Sequence, residues 1–175
     1  EIRSQLSELS EEFSFDKIGR APARFDETEL MKLNANLLLD MPEDEAVSRL
    51  KANPKLSDLS DPTFFWDTIK GNISVFSDVD RWAGILFGEI ETPDLAEDKD
   101  YLEQALASLP AGDYSEETWS TWTSELKVST GRKGRGLFMP LRKALTGEER
   151  GPEMNRVLVL LGEARARARL QAAVA

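Results

Sequence analysis

Apolar residues recur at intervals of three and four along nearly the whole chain, and strict alternation never lasts beyond four residues. That rhythm lines one face of a helix, so the sequence predicts an all-α protein. Leu6, Leu9 and Phe13 predict an opening helix over 1–12. The connector Phe15-Asp-Lys-Ile-Gly-Arg-Ala-Pro-Ala-Arg-Phe25 follows, broken by Gly19 and Pro22. Asp26 and Glu29 have the spacing of a capping box for a helix carrying Leu30, Leu33, Leu37 and Leu38, which Met41-Pro42 ends. A short helix with Ala46, Val47 and Leu50 stops before Pro54. Asp61-Pro62 reads as a cap with proline at the first helical position, opening a core-like run through Ile69.

Val79, Trp82, Ala83 and Leu86 mark a further helix, and 89–98 an acidic loop around Pro93. A helix over Asp98–Leu109 and a turn at Pro110-Ala-Gly-Asp come next. Ser115 caps a helix bearing Trp119, Trp122 and Leu126. After the glycines at 131, 134 and 136, Phe138, Leu141 and Leu145 set the buried stripe of another helix, stopped by Gly147. Gly151-Pro152 starts a helix with Met154, Leu158 and Leu161, and Gly162 separates it from a final Arg/Ala-rich helix. These elements predict two stacked helical subdomains meeting near residues 88–98.

Charge changes the picture only at the C-terminal end. The 175-residue chain has net charge −10, yet residues 127–175 hold 11 Lys and Arg against 4 Asp and Glu. A globally acidic protein is a poor nonspecific polyanion binder, whereas a local basic segment with interspersed glycines suits one phosphate backbone. Arg132, Lys133 and Arg135 are the candidate phosphate contacts, with a solvated helix–helix loop as the plainer alternative. The Gly-Lys-Ser/Thr ending of a phosphate-loop NTPase is missing. Arg142 flanks the buried stripe of its helix and can offer a planar fork to a base or phosphate, or be an ordinary surface cation near a helix end. Arg165, Arg167 and Arg169 read as a solvated face, with Arg167 turned away from the other two. Trp119 and Trp122 read as core, and the acidic run Glu89 to Asp100 as a solvated loop without calcium-loop order.

The chain has no Cys and no His, which removes disulfides, nearly every zinc site and any histidine base. No catalytic carboxylate pair and no metal site are singled out. There is no apolar run of membrane-spanning length and no signal-peptide pattern. The start at Glu1, already in helical pattern, is read as an excised piece of a longer protein.

The run Gly-Arg-Lys-Gly-Arg-Gly-Leu-Phe-Met-Pro-Leu-Arg-Lys-Ala-Leu-Thr-Gly at 131–147, then Gly151-Pro152 and Leu161-Gly162-Glu163, resembles the C-terminal region of bacterial-type glutamyl-tRNA synthetases. Phe15 to Asp26 and Leu33-Asn34 resemble the segment just after that family's catalytic half. The resemblance implies the end of a stem-contact domain and connector over 1–34, then two anticodon-binding helical subdomains over 35–92 and 93–175. It implies anticodon contacts by Arg142, Gly151, Pro152, Glu153 and Met154, the chemistry single-stranded loop bases require. It places near Asn72 the arginine that in some members separates glutamate from glutamine anticodons; asparagine there implies weaker selection against the glutamine anticodon. The family's His-Ile-Gly-His-like and Lys-Met-Ser-Lys-Ser-like signatures are absent, so ATP, Mg and glutamate would bind outside this chain, which by itself would form no glutamyl-tRNA. The implied partner is glutamate tRNA, with glutamine tRNA the alternative, for a cytoplasmic monomer that touches neither DNA nor membrane. Without the resemblance, the residues alone also fit an acidic helical protein-interaction module.

Overall fold

Eight α-helices joined by loops and short 3-10 turns make up the molecule as the computed structural model describes it, over residues 7, 10, 11, 13–17, 19 and 26–175. Leu6, Leu9 and most of the connector, Pro22 included, lie outside these described residues. The helices are α1 (Glu27–Leu39), α2 (Glu43–Ala52), α3 (Pro62–Ile69), α4 (Asp78–Phe87), α5 (Lys99–Ala107), α6 (Glu116–Thr130), α7 (Arg135–Thr146) and α8 (Met154–Val174). No strand occurs among the described residues.

Local chemistry sets the boundaries. Asp26 and Asp61 accept from the N–H groups of Thr28 and Phe64, each at 2.8 Å, and start α1 and α3. Glu29 does not close the expected capping box; it pairs with Lys32 at 2.8 Å, a nearer cation one turn along. Gly131 and Gly147 end α6 and α7 with φ of 69° and 73°, where a side chain would be strained. Gly162 breaks α8 with φ 67° and ψ 169°.

The helices stack into two lobes, with α8 packed on α5, α6 and α7 and reaching α3 and α4 as well. One buried cluster runs from Leu38 to Leu170, with Trp66, Trp122 and Tyr101 among its largest members. Trp122 is therefore core, as its spacing predicts, while Trp119 is half-buried against it with ring centroids 5.8 Å apart. Phe138 departs from its expected place in the stripe and is 43 % exposed. The inward face of α7 is Leu137, Leu141, Ala144 and Leu145; Phe138 is one 100° step off it and shares the outer side with Arg142.

Candidate nucleic-acid interface

Pro140 lies inside α7 and has no N–H for the carbonyl of Gly136, four residues back. Arg132 supplies the missing donor: its Nη1 donates to Gly136 O at 3.1 Å and also to Asp98 Oδ1. The same guanidinium stacks 4.2 Å from the Tyr101 ring centroid, and the Tyr101 hydroxyl donates to Leu137 O at 2.6 Å. Burial pushes the Tyr101 phenol well up, so it stays a donor. Arg132 is thus engaged within the fold, repairing a proline gap, while Lys133 and Arg135 remain exposed. Arg135 lies 3.7 Å from Glu149, whose carboxyl the Lys143 ammonium, at 2.6 Å, holds below its ordinary range. Arg135 and Lys143 therefore flank Glu149, in the loop just before Gly151.

Arg142 is half-buried, and desolvation pulls its guanidinium down from the ordinary arginine value. Its Nη2 donates to Pro152 O at 2.9 Å, tying α7 to the turn that starts α8. That turn rests on Trp82. Gly151 has φ 150°, and a Cβ there would stand 2.3 Å from the Trp82 ring carbon Cη2. Trp82 Nε1 in turn donates to Asn72 O at 3.2 Å. Asn34 Nδ2 donates to Ser74 O and anchors the far side of the same loop to α1. Asn72, Glu153 and Arg156 then meet around one cavity of about 290 Å³, with Gly71 and Lys70 also on its wall. Residues far apart in sequence, 72, 142 and 151–153, are so brought to one place.

A family model described as an anticodon binding domain matches residues 5–174. The chain belongs to the anticodon-binding domain family. It is 46% identical over 170 residues to "Glutamate--tRNA ligase 2" of Hyphomonas neptunium, covering 97% of this chain and 38% of that protein. It is 39% identical over 169 residues to "Glutamate--tRNA ligase 2" of Gluconobacter oxydans, covering 97% of this chain and 36% of that one. The chain thus spans little more than a third of these curated relatives. Among solved structures, a glutamate tRNA ligase from Elizabethkingia meningosepticum in complex with its amino acid shares the fold. The TM-score is 0.75 at 20% identity, over 96% of this chain and 36% of that one.

Within this anticodon-binding domain the expected residues differ in what they expose. Glu153 is exposed and caps α8 without a side-chain bond. Pro152 and Met154 are buried, and the Pro152 carbonyl accepts from Arg142. Glu163 of the Leu-Gly-Glu motif serves the scaffold. It accepts from Gly112 N–H at 2.7 Å and from Arg167 Nη2 at 2.9 Å, and the Gly112 bond leads in holding its carboxyl below the usual range.

The solvated reading of the Arg165–Arg169 segment fails at Arg169, which is 7 % exposed. Its guanidinium donates to Ile85 O at 2.6 Å, to Gly88 O at 2.9 Å and to Leu145 O, the carbonyl ends of α4 and α7. Burial, and then the neighbouring Arg165 charge, lower it to about 10, so it stays charged at neutral pH. The signal was present in Ala166, Arg169 and Leu170, an i, i+3, i+4 set whose two apolar members are buried. Arg156, which sequence reading did not single out, lies with its guanidinium carbon 4.6 Å from the Phe64 ring centroid. Among the described residues no His, Cys, Asp or Glu group is arranged to hold a metal ion, and no helix is long and apolar enough to cross a membrane.

Proposed function

We propose that this chain reads a tRNA anticodon as part of a glutamate–tRNA ligase, the remainder of which joins glutamate to that tRNA with ATP and Mg. The observation that carries the reading is the chain of contacts that ties Arg142 to Pro152 O, seats the neighbouring Gly151 on the Trp82 ring and joins Trp82 to Asn72 O. It combines a guanidinium, a half-buried glycine turn and a cavity wall, equipment suited to holding splayed loop bases. The family and the ligase relatives supply the context. The partner is glutamate tRNA or glutamine tRNA, met in the cytoplasm by a monomeric enzyme. Residues 1–34 end the stem-contact domain, and 35–92 and 93–175 form the two anticodon-binding subdomains. Arg132, Lys133 and Arg135 contact phosphates and position the RNA, Arg132 also shaping their loop; Arg142 and residues 151–154 contact bases.

The test is binding of the 175-residue chain to glutamate and glutamine tRNA transcripts and to versions with altered anticodons. Arg142→Ala is expected to weaken binding of the preferred anticodon about ten- to a hundredfold, the effect of losing one contact worth roughly 1–3 kcal/mol, and altered anticodons much less. Lys133→Ala is expected to weaken all of them alike. Equal losses for every anticodon would make Arg142 a phosphate contact. Absence of tRNA binding by the native chain would favour a protein-interaction module.

Salt gives a separate measurement. Two phosphate contacts release their counterions on binding, so Lys133→Ala/Arg135→Ala should lower the slope of log affinity against log salt by about 1.4–1.8 for single-stranded to duplex contacts. An unchanged slope would mean that the loop only connects α6 to α7.

A further inference from the structure

Arg165 and Arg169 stand one turn apart on α8, and among the described residues neither is paired with a carboxylate. Their hydrogen bonds go to main-chain carbonyls only. Two like charges at this spacing repel each other, and Arg169 is almost fully buried. Arg169 spends its donors on three carbonyls, whereas Arg165 makes one bond, from Nη1 to Leu161 O at 3.3 Å. Its Nε and Nη2 form the edge of a guanidinium that holds a carboxylate side-on, and both are unused. The two arginines line a cavity of about 400 Å³ between the end of α4, the segment at 88–92, α7 and the second half of α8. Phe87, Ile90, Ala144 and Ala168 give it apolar wall, and the Arg165 guanidinium carbon lies 5.9 Å from the Phe87 ring centroid. The carboxylate on the wall is Glu89, which is exposed. The cavity lies past the Gly162 break in α8 and shares no lining residue with the Gly151–Met154 turn.

We propose that this cavity binds a small monocarboxylate with a hydrocarbon body, the carboxylate on the Arg165 fork and the chain against Phe87, Ile90, Ala144 and Ala168. The site is separate from the proposed base contacts and adds a ligand class to the molecule. A carboxylate offers the two oxygens that a guanidinium edge demands, and its charge offsets a pair of neighbouring cations. Glu89, with Glu91 exposed in the same segment, opposes a dianion or a polyanion, so inorganic phosphate and an RNA backbone are poor occupants. The apolar wall rewards carbon: each methylene taken from water should tighten binding about fourfold. At about a water's volume per atom, the space suits on the order of ten non-hydrogen atoms, the size of octanoate. A cavity of this volume falls in the ordinary range of small-molecule sites. Because its walls come from α4, α7 and α8, an occupant would tie together the three helices that Arg169 already joins.

The experiment titrates hexanoate, heptanoate and octanoate into the 175-residue chain and follows amide chemical shifts. Octanoate should bind with a Kd of about 1 mM, and affinity should rise about fourfold with each methylene of the series. The shifts should centre on residues 87–92 and 165–172. At ten times its Kd, octanoate should raise the unfolding midpoint by roughly 3–6 °C. Hexan-1-ol, the uncharged counterpart of hexanoate, should bind about tenfold more weakly or worse. Arg165→Met removes the fork and should weaken octanoate by about tenfold or more. Ala168→Leu sits at an exposed helix position that the fold tolerates, and should flatten the chain-length dependence by filling the space that the chain takes. Circular dichroism checks that both variants fold. Affinity that is indifferent to chain length, or that survives Arg165→Met, would overturn the proposal. So would displacement of octanoate by inorganic phosphate or tRNA, which would make Arg165 a phosphate contact; none of these outcomes touches the anticodon-reading function.

Discussion

Arg169→Met should lower the stability of the chain by roughly 3 kcal/mol or more, since each buried polar group left without a partner costs about 1–3 kcal/mol. Arg169 donates to three carbonyls at the ends of α4 and α7, and methionine fills a similar volume while satisfying none of them. Replacement of a buried ion pair by apolar residues is often harmless because both partners leave together. Here the acceptors are main chain and stay. A cation at two helix C-termini also complements the partial negative charge of both, which the variant loses. For a chain of this size about 1 kcal/mol corresponds to 2–4 °C, so thermal unfolding followed by circular dichroism should shift down by roughly 6–12 °C. Arg169→Lys keeps the charge but not the planar spread of donors, and should recover only part of the loss. A midpoint for Arg169→Met within a degree or two of the native chain would show that water can replace the guanidinium. The expectation bears on function because α4 carries Trp82 and α7 carries Arg142, and Arg169 fixes both helices to α8.

Helices were legible in the sequence because their signals are local. Asp61-Pro62, Gly131, Gly147 and Gly162 act through their own backbone and needed no knowledge of what lies across the core. Arg142 was legible for a related reason. Its place one step off the Leu141–Leu145 stripe is a property of α7 alone, and the structure finds it half-buried as that place requires. Arg169 was misread because its three acceptors come from residues 85, 88 and 145, and no spacing along one helix reveals a partner in another. Arg132 has a second role that its charge did not reveal: the proline five residues beyond Arg135 leaves a carbonyl without its donor, and Arg132 bonds to it. The cavity joining Asn72 to Glu153 and Arg156 is a purely tertiary object. Sequence supplied Asn72 and Glu153 through the family resemblance, and Arg156 beside them was visible only in the fold.

Gly151→Ala is the substitution expected to damage the site and the fold together. Two separate costs coincide at this position. The backbone φ of 150° is one that an L side chain rarely adopts, and the new Cβ would lie 2.3 Å from Cη2 of Trp82 and 3.1 Å from Cζ3. Strain at such a backbone conformation costs about 1–3 kcal/mol. Overpacking against a ring with no room to move costs roughly 1–3 kcal/mol more. Trp82 is hemmed in: it is 3 % exposed, its Nε1 is bound to Asn72 O, and the Arg81 guanidinium lies 5.3 Å from its ring centroid. Relief must come either from rotating Trp82, which releases Asn72, or from lifting the 151–153 turn, which pulls Pro152 O away from Arg142. Both routes disturb the proposed base contacts, so tRNA binding should fall along with the unfolding temperature. Gly147→Ala separates the two costs. Its φ of 73° is also positive, but a Cβ there meets only Glu91 O at an ordinary 3.7 Å. It should cost about 1–2 kcal/mol from handedness alone and leave binding nearly intact. Thermal unfolding, tryptophan fluorescence and tRNA affinity measured on both variants make the comparison. Equal destabilisation with unchanged fluorescence would mean that the turn yields without moving Trp82, and that the ring is not what holds Gly151 in register with Arg142.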